Sequence, residues 1–418
     1  MKVRGVVRPP GDKSISHRVL MLAALARGKS GVTGLLTGDD VKSTARVLRQ
    51  LGADISSIRD TSVRVSSARL TAPGARLHCG NSGTTARLVL GILAGQRFAA
   101  TLTGDASLRR RPMRRVTEPL RTMGAEITEQ RGDGLPLEIH GGRLRGLVYT
   151  SPVASAQVKS ALLLAGLTGG VPVTIREPYR SRDHTERLFA HLGLGIHEHD
   201  SVISYQPSAI SVHPFEMSVA GDTSSAAFLV AVAVLAEQGE LLIENVGVNP
   251  TRTGYLVVLE RMGAHVDRVN LRDAGGEPVA DLIARPASLA ATEVTAREIP
   301  TLVDEVPVLA VLASRARGET VFRDVGELRV KESNRLELVA ANLRAVGVRA
   351  EARGNDLHVE GTERPPRGRV ETAADHRLAM AFAALGTTVG ADIRLSERRS
   401  VGISYPTFFK DLKRITAR

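Results

Sequence analysis

Val47-Leu48-Arg49-Gln50-Leu51-Gly52-Ala53 is the stretch from which the fold can be read. Its leucines end a helix-like segment, the glycine supplies the left-handed C′ residue that closes one, and the residues after the glycine read as a strand. The same ending recurs at Leu120-Arg121-Thr122-Met123-Gly124-Ala125, Leu188-Phe189-Ala190-His191-Leu192-Gly193, Leu259-Glu260-Arg261-Met262-Gly263-Ala264 and Leu343-Arg344-Ala345-Val346-Gly347. A sixth, degenerate copy occupies 408–415.

A second recurring segment precedes each of these, starting near Ser14, Ser82, Ser155, Asp222, Asp304 and Asp375. Ser and Asp are good helix N-caps. The helix bodies, such as 19–26, 161–167, 226–236, 308–313 and 378–385, are apolar on nearly every face, which predicts buried helices. Short β-branched runs come next, as at 171–175 and 320–322. The expected class is therefore α/β, built of α+β repeats close to βαβαββ, six in number and arranged three plus three. A break before Gly221-Asp222-Thr223 and a second crossing at Pro9-Pro10-Gly11 predict two lobes, 12–220 and 1–11 plus 221–418. A length of 418 residues suits two domains, each large enough to bury its own core.

The single cysteine, Cys79, excludes an internal disulfide framework and a Cys-based zinc site. The N-terminus shows no signal or transit peptide, and apolar runs such as 226–236 are too short to span a membrane, so a cytoplasmic protein is expected. Of the 56 basic residues only eight are lysine, leaving 48 arginines and a net charge of +12. Guanidinium forks suit phosphate and carboxylate, which points to an anionic small molecule or to nucleic acid. Aromatics make up 3% of the chain, with no Trp and no nucleic-acid-binding motif, and this argues against the latter.

Gly11-Asp12-Lys13-Ser14-Ile15-Ser16-His17-Arg18 sets two cations and a hydroxyl at the start of a buried helix, where backbone N–H groups and the helix dipole also attract anions. Asn81-Ser82-Gly83-Thr84-Thr85-Ala86-Arg87 repeats the arrangement, with Gly83 allowing close approach to the main chain. Arg109-Arg110-Arg111-Pro112-Met113-Arg114-Arg115 gathers five arginines around a proline suited to the first helical position. Ser155-Ala156-Gln157 and Arg182-Asp183-His184-Thr185-Glu186 open two further helices. In the C-terminal half, Lys331-Glu332-Ser333-Asn334-Arg335 reads as the opening turn of the helix ending at Gly347, with like charges at i, i+4 and Glu332 on the face of Arg335. Asp375-His376-Arg377 caps the last buried helix. Gly28-Lys29-Ser30 is rejected as a P-loop, and HExxH is absent.

Together these segments resemble the 3-phosphoshikimate 1-carboxyvinyltransferases (EPSP synthases), through 10–18, 81–87, 102–113, 155–164, 183–186, 328–336 and 375–380. The resemblance implies the two-lobed enolpyruvyl transferase fold with its active site in an interlobe cleft. It also implies transfer of the enolpyruvyl group of phosphoenolpyruvate to the 5-hydroxyl of shikimate 3-phosphate, with release of phosphate and with neither metal nor organic cofactor. By the same resemblance Lys13, Ser14 and Arg18 hold shikimate 3-phosphate, joined by Ser155, Ala156 and Gln157 and by Arg182, Asp304 and Lys331. Phosphoenolpyruvate falls to Lys13, Asn81, Gly83, Thr84, Arg111 and Gln157, and across the chain to Glu332, Arg335, His376 and Arg377. Asp304, Glu332 and Lys13 are the candidates for proton transfer. The family's inhibitor glyphosate occupies the phosphoenolpyruvate site, and Gly83 leaves room for its far end. A monomer is expected, without nucleic-acid or membrane partners.

Three positions depart from the family pattern: Ile403 replaces a lysine of some members, Leu88 a proline, and Glu327 an asparagine. The alternatives are UDP-N-acetylglucosamine enolpyruvyltransferase, whose mobile-loop cysteine has no counterpart in 102–111, and an Arg-rich nucleic-acid-binding repeat protein.

Overall fold

The computed structural model describes residues 1–58, 60–130, 132–208 and 211–416. The chain separates into two compact units. The N-terminal unit is Gly11–Val219 with Ala274–Glu277, the tip of a hairpin; the C-terminal unit is Met1–Pro10, Ala220–Asp273 and Pro278–Arg418.

The N-terminal unit carries α1 (Lys13–Leu25), α2 (Asp39–Gln50), α3 (Gly83–Ala94), α4 (Arg114–Met123), α5 (Ala156–Gly169) and α6 (His184–His191). Its third repeat shows the pattern whole: strand Leu147–Thr150, α5, strand Val173–Arg176, α6, then the hairpin Ile196–His199 and Val202–Tyr205. The first two strands pair in parallel and the hairpin adds antiparallel strands, giving a four-stranded sheet. The first repeat lacks a leading strand of its own. Glu216–Ser218, from the far end of the unit, pairs in parallel with Gly28–Thr33 to complete it.

The C-terminal unit carries α7 (Thr223–Val234), α8 (Gly254–Arg261), α9 (Val306–Ala313), α10 (Arg335–Ala345), α11 (His376–Leu385) and α12 (Phe408–Ile415). Here the N-terminal strand Lys2–Val7 is the parallel partner of Gln238–Gly247, so the chain's first residues complete its fourth repeat. The sheet of the sixth repeat is reduced to the parallel pair Arg367–Val370 and Asp392–Leu395, with α11 and α12 as the repeat's helices.

The five expected glycine endings are observed. Gly52, Gly124, Gly193, Gly263 and Gly347 all have φ between +69° and +109°. In each case the N–H of the next residue reaches five positions back to a helix carbonyl: Ala53 to Leu48, Ala125 to Leu120, Leu194 to Phe189, Ala264 to Leu259 and Val348 to Leu343. That bond closes the helix and turns the chain toward its strand.

Each unit has its own core, built largely from its apolar helices: α1, α3 and α5 in one, and α7, α9 and α11 in the other. Gly91 lets α3 lie against α5, because a Cβ there would collide with the main-chain oxygen of Ala161. Only glycine permits that approach.

Four local expectations are corrected. Asp12, not Ser14, caps α1, accepting from the Ile15 N–H at 2.9 Å, because the helix begins at Lys13. Glu305 stands at the N-cap of α9 and makes no side-chain cap bond, so Asp304 lies before the helix. Lys331 and Glu332 precede α10, whose N-cap is Asn334; their relation to Arg335 is that of an approach loop, not of one helical face. Pro112 lies before α4, which starts at Arg114.

Candidate active site

In the N-terminal unit the first turns of α1, α3 and α5 are tied together by their own polar side chains. Arg18 of α1 donates through Nε to Thr185 Oγ1 at 2.7 Å, through Nη2 to Ser160 Oγ at 2.7 Å and through Nη1 to the Ser14 carbonyl at 2.9 Å. Arg87 of α3 donates to Gln157 Oε1 at 2.7 Å and to the Pro112 carbonyl at 2.9 Å, while Gln157 Nε2 donates to Thr84 Oγ1 at 3.0 Å. Arg111 donates to Asn81 Oδ1 at 2.6 Å, and Asn81 Nδ2 to Asp105 Oδ2 at 2.6 Å. Lys13 lies 3.3 Å from Asp40 Oδ2. A hydroxyl chain runs beneath: His17 Nδ1 meets Thr44 Oγ1 at 2.6 Å, Thr44 meets Thr85 at 2.7 Å, and Thr85 donates to Ser82 Oγ at 2.8 Å.

Most of these partners are neutral, so they orient the cations without cancelling their charge. Burial pulls the Arg18 guanidinium down to about 10, against the opposing effect of Glu186; it remains charged at neutral pH, with Arg182 close enough to repel it. His17, fully buried and facing Lys13 and Arg18, is held well below the ordinary histidine range, first by burial and then by those cations. It is a neutral imidazole inside a cationic site.

The C-terminal unit is built differently. Arg335, almost fully buried at the start of α10, donates to Asp375 through Nε at 2.7 Å and Nη2 at 3.2 Å; its Nη1 lies 3.3 Å from Asp304 Oδ1 and its Nη2 2.5 Å from Glu332 Oε2. Burial opposes its charge, but the three carboxylates outweigh this and raise its pKa. Asp375 is lowered in turn: burial works against its ionised form and Arg335 overrides it. Arg377 donates to the Asp304 carbonyl at 3.1 Å and lies 3.6 Å from both Asp304 Oδ2 and Glu305 Oε1. Ser224 donates to Glu305 and accepts from Arg252 Nη2 at 2.7 Å.

Lys331 is 4.0 Å from Asp304 and 3.5 Å from Glu327, so the glutamate at the third departure is an ion-pair partner of that lysine. His376 is buried at the first position of α11. Leu88 lies inside α3, where its N–H belongs to the helix, and Ile403 ends a short 3₁₀ turn at Arg399–Ile403.

The structure thus brings Lys13, Ser14, Arg18, Asn81, Gly83, Thr84, Arg111, Ser155, Ala156, Gln157 and Arg182 into the first turns and approach loops of one unit. It collects Asp304, Lys331, Glu332, Arg335, His376 and Arg377 around α9, α10 and α11 of the other. Sequence reasoning gave no role to Arg87 or Asp40, and gave Asp375 only the helix cap that it does form, not its bonds to Arg335. Arg87 was visible as the fourth residue after Gly83 on one helical face. A Cβ on Gly83 would stand 2.8 Å from Arg87 Nη1 and 3.4 Å from Arg111 Nη1, so that glycine makes room for a guanidinium already anchored at two points.

Repeated small sheets and buried helices of this kind define an enolpyruvyl transferase fold. The structure aligns with an enolpyruvyl transferase, NikO from Streptomyces tendae, at a TM-score of 0.80 and 20% identity, covering 100% of this chain and 96% of that one. It aligns with EPSP synthase from Acinetobacter baumannii at a TM-score of 0.88 and 37% identity, covering 99% and 96%. A 3-phosphoshikimate 1-carboxyvinyltransferase of Geobacter metallireducens is 44% identical over 420 residues, 100% of this chain and 97% of the relative. The family described as EPSP synthase (3-phosphoshikimate 1-carboxyvinyltransferase) matches residues 1–412, and the chain belongs to that family. Among the described residues no helix is long and apolar enough to cross a membrane.

Proposed function

We propose that this chain transfers the enolpyruvyl group of phosphoenolpyruvate to the 5-hydroxyl of shikimate 3-phosphate, as a monomer in the cytoplasm and without a nucleic-acid partner. The observation that carries this reading is the trio Arg18 of α1, Arg87 of α3 and Arg111 of the loop before α4, which donate to hydroxyls, amides and carbonyls and are therefore able to take up anionic substrates. Lys13, Ser14, Arg18, Ser155, Ala156, Gln157 and Arg182, with Asp304 and Lys331, bind shikimate 3-phosphate. Asn81, Gly83, Thr84 and Arg111, with Lys13, Gln157, Glu332, Arg335, His376 and Arg377, bind phosphoenolpyruvate.

The chemistry is addition followed by elimination. A base removes the 5-hydroxyl proton, the oxygen bonds to C2 of phosphoenolpyruvate, and an acid protonates C3. The tetrahedral ketal then loses a C3 proton and expels phosphate, restoring the double bond. Asp304 and Glu332 both reach the one buried guanidinium of Arg335, as suits a pair that exchanges roles; Lys13 is the third proton carrier. Phosphate release from phosphoenolpyruvate, with shikimate 3-phosphate compared against UDP-N-acetylglucosamine as acceptor, tests the reading. Turnover only with the second acceptor would overturn it.

A further inference from the structure

Behind the first turn of α5 lies a buried group to which the reaction assigns no part. Lys159 and Glu177 have side chains only 1% exposed and form an ion pair at 2.7 Å; Lys159 Nζ is also 2.7 Å from Glu186 Oε1. Burial alone would depress the ammonium, but Glu186 and Glu177 outweigh it and hold Lys159 above the ordinary lysine range. A buried pair of this kind adds little stability over well-packed apolar groups. Its value lies in direction.

Glu177 accepts four hydrogen bonds. Oε1 takes the Ser155 N–H at 3.3 Å and the Ser181 hydroxyl at 2.6 Å; Oε2 takes Lys159 Nζ at 2.7 Å and the Ser181 N–H at 3.3 Å. Lys159 donates in addition to the Ser181 carbonyl at 3.4 Å. Ser155 is the N-cap of α5, directly before Ala156 and Gln157, and Ser181 directly precedes Arg182. One carboxylate therefore fixes the backbone of two approach loops at once, and the lysine, one helical turn along α5, fixes the carboxylate.

We propose that Glu177, held by Lys159, is a positioning residue that sets the spacing between the Ser155–Gln157 turn and Arg182 and so determines affinity for shikimate 3-phosphate. The proposal rests on the assignment of those residues to that substrate. Glu177 touches no substrate in this scheme; it acts through the two loops.

The test uses the full chain with Glu177→Gln and Ser181→Ala, the second removing one bond to the clamp without leaving a buried charge unpaired. Shikimate 3-phosphate affinity is measured by calorimetry, both KM values and kcat by steady-state kinetics, and folding by thermal denaturation. Glu177→Gln is expected to weaken shikimate 3-phosphate binding about ten- to a hundredfold, the size of a lost charge-assisted bond, and Ser181→Ala in the same direction by less. The KM for phosphoenolpyruvate, which shares only Gln157 with the displaced turn, should rise much less than that for shikimate 3-phosphate, and kcat at saturation should stay within about twofold, a split that general loosening of the fold would not produce. Ser155→Ala and Arg182→Ala are the controls. If they weaken shikimate 3-phosphate binding while both clamp variants leave it unchanged, or shift both substrates equally, the clamp is overturned. Should Glu177→Gln fail to fold, Ser181→Ala decides alone. If neither control affects that substrate, its assigned site is wrong and the clamp falls with it.

Discussion

The two units repeat one architecture, yet they treat charge at the starts of their central helices in opposite ways. In the N-terminal unit Ser82 and Ser155 cap α3 and α5 while Asp12 caps α1, and Arg18, Arg87 and Arg111 donate to hydroxyls, amides and carbonyls. Asp222 and Asp375 cap α7 and α11 in the C-terminal unit, Glu305 stands before α9, and Arg252, Arg335 and Arg377 all lie within ion-pair distance of carboxylates. The field of a cation held by neutral partners stays available to an incoming anion, whereas that of one held by carboxylates is compensated by them and favours their ionised form. One repeated fold thus carries two charge arrangements, and under the proposed function the first suits binding of anions and the second proton transfer.

The strongest attack on that division is Glu332→Gln. It keeps the shape beside Arg335 and removes a titratable group, so turnover should fall by about two to four orders of magnitude with much of the substrate binding retained. Near-normal kcat in a folded variant would remove Glu332 from proton transfer. Next comes Asp375→Asn, which deprives the buried Arg335 of the carboxylate that holds it at two points. Loss of one half of a buried pair costs about 3–5 kcal/mol, readable as a lower denaturant midpoint. The aspartate is held below its ordinary range by Arg335, so in the parent its contribution is present above about pH 3.8 and lost as pH falls through the depressed native value.

Ser155→Asp gives α5 the acidic cap that α7 and α11 carry. Aspartate caps as well as serine, so the fold should persist, while the added charge raises the KM for shikimate 3-phosphate about tenfold, or roughly 1.4 kcal/mol. An unchanged KM would mean that cap chemistry does not separate the units. The mildest effect concerns His17. Unfolded, it takes a proton near pH 6.5; native, it is held lower by burial and two cations, so the unfolded state binds more protons as pH falls below about 6.5. Stability should drop there by up to about 1.4 kcal/mol per pH unit from this residue, and His17→Asn, which retains a polar atom near Thr44, should flatten the slope. A slope identical to the parent's would show that His17 is protonated in the native site.

Much of this was legible from particular residues. The endings in which two apolar residues three apart precede a glycine specified five helix stops, because a left-handed C′ residue is a local requirement that glycine meets at no steric cost. Wholly apolar segments such as 226–236 announced buried helices, and the cations clustered at helix starts marked segments whose arginines the structure gathers in one unit. Other features lay beyond a linear reading. That Lys331 and Glu332 form an approach loop depended on Asn334 taking the cap instead. That Glu216–Ser218 completes the first sheet and Lys2–Val7 the fourth depended on which unpaired edge each strand met.

The order of amino acids is enough to specify the repeat, its helix stops and the chemical types gathered at each helix start, because propensity, capping and dipole act within a few residues. Which charges face which is a matter of long-range packing. Asp375 meets Arg335 from forty positions away, Arg87 meets Gln157 from seventy, and Glu177 joins Ser155 to Ser181. Whether a guanidinium is answered by a carboxylate or by an amide depends on distances and burial that only the packed helices create, and that answer separates the two units.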